Sequence, residues 1–153
     1  MESELRAFFE KNSLAQQAAQ SIKNGREIQL VITTDGKESS YVFSREKNTN
    51  TLREGKPQNP DLTFFLPKPV AEELVAKKFN TVGQVGLHIF EKMLCNDPNQ
   101  KVRAKLHVGI LSLMTGGYLG VLTAGGADVA KFLATRGLGN MGKLKDAISK
   151  MRG

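Results

Sequence analysis

The sequence predicts an α+β fold, a small five-stranded sheet combined with several helices. Three observations predict it. The hydrophobic period switches from about 3.6 residues before Gly25 to 2 after it. Asp35-Gly36 lies between two alternating runs, the strongest short-range signal for an antiparallel hairpin. A late alternation, Val102 to Val108, leads into a glycine-rich stretch without charge, which suits a strand followed by buried helix.

Taken in order, Ser3 to Asn24 reads as an amphipathic helix. Ser3 is a suitable N-cap, and Leu5, Phe8, Phe9, Ala15, Ala18, Ala19 and Ile22 recur at helical spacing. Gly25 offers a left-handed stop. Ile28, Leu30 and Ile32 then alternate with Gln29, Val31 and Thr33 as a half-buried strand. A second strand covers Glu38 to Arg45, with Tyr41 and Phe43 on one face, and a polar third runs from Thr49 to Glu54. After a loop from Gly55 to Pro60, Leu62, Phe64 and Leu66 mark a fourth strand that stops before Pro67.

Pro69 suits the first turn of a helix extending through Lys78. Thr81 caps a further helix to Leu94, whose apolar stripe is Val82, Val85, Ile89, Phe90, Met93 and Leu94. Asn96-Asp97-Pro98-Asn99 is a turn. From Lys101 to Gly109, Val102, Ala104, Leu106 and Val108 face one way while Arg103, Lys105 and His107 face the other, a fifth strand with one wet, basic face.

Val108 to Ala127 is a run of 20 residues without charge, the length of a membrane span. Six of them are glycine (109, 116, 117, 120, 125 and 126), and Ser112, Thr115 and Thr123 add hydroxyls, so a helix or broken helix buried against the sheet fits better. Glycine in a helix costs about 1 kcal/mol relative to alanine. Gly116, Gly117 and Gly120 therefore need a reason: either close backbone packing on another element, or room for a guest beside Ile110, Leu113, Met114, Tyr118, Leu119 and Leu122. We take the second as the working expectation. A helix from Ala127 to Thr135 and a basic terminal helix from Met141 to Met151, with Leu144, Ile148 and Met151 on one face, complete the chain.

Composition bounds the function. At 153 residues, 40% hydrophobic and 24% charged, the chain is expected to form one domain over 1–153, closed by the basic segment 140–153. One cysteine, Cys95, excludes an intrachain disulfide, and Met1-Glu2-Ser3-Glu4 does not read as a secretory signal, so a cytoplasmic home is expected. The net charge of +7 suits nucleic acid, an anionic membrane surface, an acidic head group or plain solubility, and Ala127 to Gly153 holds +4 of it.

The residues for catalysis are sparse. His88 lies beside Ile89 and Phe90, His107 alternates with Lys105, and neither has metal-pair spacing. Cys95 has no adjacent base and reads as a buried, inert thiol. Asp61 reads as a turn cap, and Glu72 and Glu73 as ion-pair partners of Lys77 and Lys78. Gly137-Leu138-Gly139-Asn140-Met141-Gly142 has the letters of a dinucleotide fingerprint but follows a helix, not a strand. No enzyme activity, cofactor or metal is expected.

The residues Glu27 to Asp35 and Ser39 to Arg45 as hairpin, Pro60-Asp61-Leu62-Thr63-Phe64-Phe65-Leu66 as fourth strand, and Val102 to Gly109 leading into the glycine-rich helix resemble the sterol-carrier-protein type-two family of lipid-binding domains. The pattern spans about residues 15 to 135. It implies a single-layer, mostly antiparallel five-stranded sheet covered on one face by helices, with an apolar cavity between the layers that takes fatty acids, acyl-CoA or sterols. Two departures, a pair of helices within Val70 to Asn99 and a longer segment after the fifth strand, imply a tunnel of different shape.

The ligand-lining candidates are Phe64, Leu66 and Leu106 from strands, Phe90, Met93 and Leu94 from the fourth-strand-following helices, and Ile110, Leu113, Met114, Gly117, Tyr118 and Leu122 from the uncharged run. Arg103, Lys105 and Lys131 are the head-group candidates. The expected partner is a lipid or fatty acid, with a transient anionic membrane contact and a homodimer as further expectations. The alternatives are a basic nucleic-acid-binding domain and a structural oligomerisation module. Against the first, Phe8, Phe9, Phe43, Phe64 and Phe90 all fall on buried faces rather than among the basic residues, and there is no tryptophan.

Overall fold

A computed structural model describes residues 1–150, apart from the side chains of Met141, Leu144 and Ile148; the apolar stripe read at Leu144, Ile148 and Met151 lies outside the described residues. Strands β1 (Glu27–Thr34) and β2 (Lys37–Glu46) form the hairpin. Asp35 and Gly36 have φ of 49° and 77°, the double positive φ of a type I′ turn. A second tight turn, with Lys47 and Asn48 at 51° and 64°, returns the chain into β3 (Thr49–Glu54). β4 (Leu62–Pro67) lies parallel to β1, and β5 (Arg103–Leu106) antiparallel to β4. The order is β3-β2-β1-β4-β5, so the sheet is mixed and mostly antiparallel. Pro67 closes β4 opposite Thr33 instead of lying outside it, which a strand end tolerates because no further ladder bond is needed.

Period-2 alternation gives the sheet its two faces. Pairing sets Ile28 beside Phe43, Leu30 beside Tyr41, and Leu62 beside Leu106 on the inner face. Gln29, Thr63 and Lys105 form a row on the other. The inner residues merge into one buried cluster with Leu5, Ile22, Val70 and Leu113.

The amino-terminal helix is divided. α1 (Glu2–Arg6) runs into a π-helical turn, Ala7–Lys11, and α2 (Ser13–Ala19) begins anew. Asn12 causes the break: its backbone is extended, and its Oδ1 accepts from the N–H groups of Leu14 and Ala15 at 3.0 and 3.2 Å. Ser3 accordingly sits inside α1 and not at its cap. Gly25 is left-handed, at φ 87°, but stands beyond the end of α2.

Helices α3 (Lys68–Ala76) and α4 (Val82–Leu94) follow β4, with Thr81 capping α4 through Gln84 N–H. Glu72 and Glu73 pair with Lys68 and Lys92 instead of Lys77 and Lys78. The uncharged run forms two six-residue helices, α5 (Ile110–Thr115) and α6 (Leu119–Ala124), followed by α7 (Gly126–Thr135) and α8 (Met141–Ser149). Among the described residues, no helix is long and apolar enough to cross a membrane.

Gly117 and Gly120 of that run are there for close packing. A Cβ at Gly117 would collide with the Ser21 carbonyl oxygen, and one at Gly120 with the Ser21 side chain. Ser21 Oγ donates to the Gly117 carbonyl at 2.8 Å and Lys23 N–H to the Gly116 carbonyl at 2.9 Å. The expectation that these glycines leave room for a guest is therefore corrected: their missing side chains are occupied by the segment after α2.

Candidate functional site

A hollow of about 310 Å³ lies between the inner sheet face and the helices, at the small end of the range for small-molecule pockets. Its floor is β-sheet: Ile28, Leu30 and Ile32 of β1, Phe43 of β2, and Leu62, Phe64 and Leu66 of β4. Its roof comes from α2, α4 and α6, where Ala15, Ala18, Ala19 and Gly86 supply little side-chain volume. Gly86 stands out: a Cβ built there meets nothing within 4 Å, so this helix glycine faces open space.

The lining is almost wholly hydrocarbon, and Tyr118 contributes its single hydrogen-bonding side chain. That hydroxyl is already committed. It donates to Asp61 Oδ2 at 2.6 Å, while Arg26 Nη1 donates to Asp61 Oδ1 and to Ser112 Oγ, each at 3.2 Å. Burial, then the hydrogen bond to Asp61 and its negative charge, hold the Tyr118 phenol far above its ordinary range, so it remains a proton donor. Asp61 is 5% exposed and is thus no simple turn cap. It joins the start of β4 to the glycine-rich segment and closes the polar account at one wall of the hollow.

Of the lining candidates read from sequence, Phe64, Leu66, Phe90, Met93, Leu106, Leu113, Tyr118 and Leu122 border the hollow. Four do not. Leu94 is 48% and Met114 41% exposed, because successive helical residues turn by about 100° and carry them round from the inward stripe. Ile110 packs on the main core beside the hollow, and Gly117 is closed off by Ser21. None of the head-group candidates borders it either. Arg103 and Lys105 are exposed on the opposite sheet face, as strand alternation requires, and Lys131 is exposed on α7. Sequence reasoning missed Gly86 and the α2 alanines. Alanine and glycine read as filler on an amphipathic face, although three alanines on one inward stripe are a signal of missing volume.

Among the described residues there is no group of three or more metal-ligating side chains. His107 is exposed and its Nε2 lies 2.7 Å from Thr63 Oγ1. Cys95 is half-buried rather than buried, and its thiol donates to the Lys92 carbonyl. His88 is buried on α4 against Phe79, with its Nε2 unpartnered among the described residues. Burial is the main cause that lowers its pKa below the ordinary 6.5. The unfolded chain therefore binds the proton first as pH falls, so this contribution to stability is present above pH 6.5 and lost below it. His88→Leu is expected to move the acid midpoint of unfolding to lower pH, which circular dichroism across a pH series checks.

No family model and no curated protein matches the sequence. Among solved structures, the chain is similar to one described as "UbiJ-SCP2 Ubiquinone synthesis protein", at 14% identity and a TM-score of 0.41, covering 86% of this chain and 88% of that one. A likeness at this level assigns neither family nor ligand.

Proposed function

We propose that this chain is a non-catalytic carrier that holds an apolar molecule, a fatty acyl chain or another lipid, in the hollow between sheet and helices. The observation that carries this reading is a lining of hydrocarbon whose one hydroxyl is already paired with Asp61. Such a space takes a guest by burying apolar surface, worth about 25 cal/mol per Å². It offers no partner to a charge, and an unpaired carboxylate inside would cost several kcal/mol. A fatty acid therefore enters tail first and keeps its carboxylate at the surface. An uncharged chain has no such constraint.

Delipidated protein titrated with a fluorescent fatty acid and with an uncharged fluorescent alkane is expected to saturate with both. Oleyl alcohol should displace either probe at least as well as oleate. Native mass spectrometry of freshly purified protein, followed by extraction, identifies any molecule retained. Absence of saturable uptake of both probes at micromolar protein would remove the carrier reading.

A further inference from the structure

Among the described residues the exposed large apolar side chains are Leu94, Leu111 and Met114. One exposed leucine is ordinary on a protein surface. Leu111 and Met114 are a pair, however, set three positions apart on α5 and therefore on one face of it. Leu111 is the most exposed of all, at 70%. Leu113, on the inward side of the same helix, is buried and borders the hollow. The helix is held in place by that residue, by the bond from Arg26 to Ser112 Oγ, and by the bond from Lys23 N–H to the Gly116 carbonyl. The outward pair contributes nothing to this anchoring.

The surroundings of the pair are basic. No aspartate or glutamate occurs from Pro98 to Ala127. β5 leads into α5 through exposed Lys105 and His107, and exposed Lys23 stands at the other end, beside Gly116. α8 packs beside α5 and carries exposed Lys143 and half-buried Lys145, with Asp146 as its one acid. Among the described residues Lys23, Lys143 and Lys145 are in no ion pair, whereas Arg26 is committed to Asp61.

We propose that α5, flanked by Lys23 and α8, is a contact face for an anionic bilayer surface. Leu111 and Met114 would enter between the lipid head groups, while Lys23, Lys143 and Lys145 lie against the phosphates. Reversible attachment of this kind needs both parts, since a small apolar wedge or a few cations alone hold a protein only weakly. A nucleic acid would use the cations but leave Leu111 and Met114 in water. A second copy of this chain would cover the apolar pair but bring like charges together. The contact stands on the outer side of α5 and does not require a guest in the hollow.

The chain has no tryptophan, so Leu111→Trp places a single reporter on this face. With vesicles of equal parts phosphatidylcholine and phosphatidylglycerol, its emission should move to the blue, and lipids brominated on the acyl chain should quench it. Vesicles of phosphatidylcholine alone should leave it unchanged. Leu94→Trp is the matched control. Leu94 is also exposed, but the bond from Val102 N–H to the Lys92 carbonyl places the end of α4 beside the start of β5, whereas α5 follows its other end. Its emission should not move. In vesicle flotation, Leu111→Ser and K143E/K145E should each weaken binding roughly tenfold while circular dichroism stays unchanged, and added salt should release the protein. The proposal is overturned if the Leu111→Trp emission does not shift, if Leu94→Trp shifts equally, or if Leu111→Ser binds as well as the unaltered chain. It is equally overturned if neutral vesicles bind as well as anionic ones, or if light scattering shows a dimer that Leu111→Ser dissociates.

Discussion

Gly86→Leu is expected to stabilise the ligand-free protein by about 1 kcal/mol and to weaken binding of an alkyl probe roughly a hundredfold. The two effects have separate causes. Gly86 lies inside α4, where replacing glycine by an ordinary helix former recovers about 0.8–1 kcal/mol of helix propensity. The same residue borders the hollow, and a Cβ placed on it meets no neighbour, so a side chain can start there without displacing one. Its added carbons fill volume that a guest would otherwise occupy. At about 0.8 kcal/mol for each methylene displaced, loss of three or four costs about 3 kcal/mol of binding. Gly86→Ala separates the causes, since it brings the propensity gain with little loss of volume. Urea denaturation of the empty protein and probe titration check both quantities. A leucine variant that is more stable and binds as tightly as before would place the guest elsewhere.

What was legible in the sequence follows the range over which each signal acts. The hairpin was readable because Asp35-Gly36 dictates its own backbone and the flanking residues alternate. The pairing of β1 with β4 was not, because an alternating run looks the same whether its neighbour is parallel or antiparallel. Asn12 was hidden within the helical spacing of Phe8, Phe9 and Ala15, although its side chain caps the next helix. Asp61 was read as a local cap because its partners, Arg26 and Tyr118, lie 35 and 57 positions away. The wet face of β5 was read from alternation, and that same alternation sets Arg103 and Lys105 on the face away from the hollow. The hollow itself depends on which small residues face inward, and spacing alone does not separate Gly86, beside open space, from Gly117, beside backbone.

That distinction predicts the largest loss of stability, about 3 kcal/mol for Gly117→Ala. Gly117 has φ 86°, a conformation that costs an L-residue about 1–2 kcal/mol before any contact is considered. Its new Cβ would also meet the Ser21 carbonyl, a backbone group with no rotamer by which to yield. The link between α5 and α6 must then withdraw, straining the Ser21–Gly117 and Lys23–Gly116 hydrogen bonds, each worth about 1 kcal/mol. Gly126→Ala is the matched control: its φ is 62°, but nothing lies within 4 Å of its Cβ position, so only the conformational part is lost. Tyr118, next in the chain, carries the bond to Asp61 and borders the hollow, so withdrawal of Gly117 should also lower probe affinity. Urea denaturation of both variants, with probe titration under native conditions, reads these effects. Equal destabilisation in the two would mean that the chain does not approach Ser21 closely at Gly117, and that the wall of the hollow is set by other contacts.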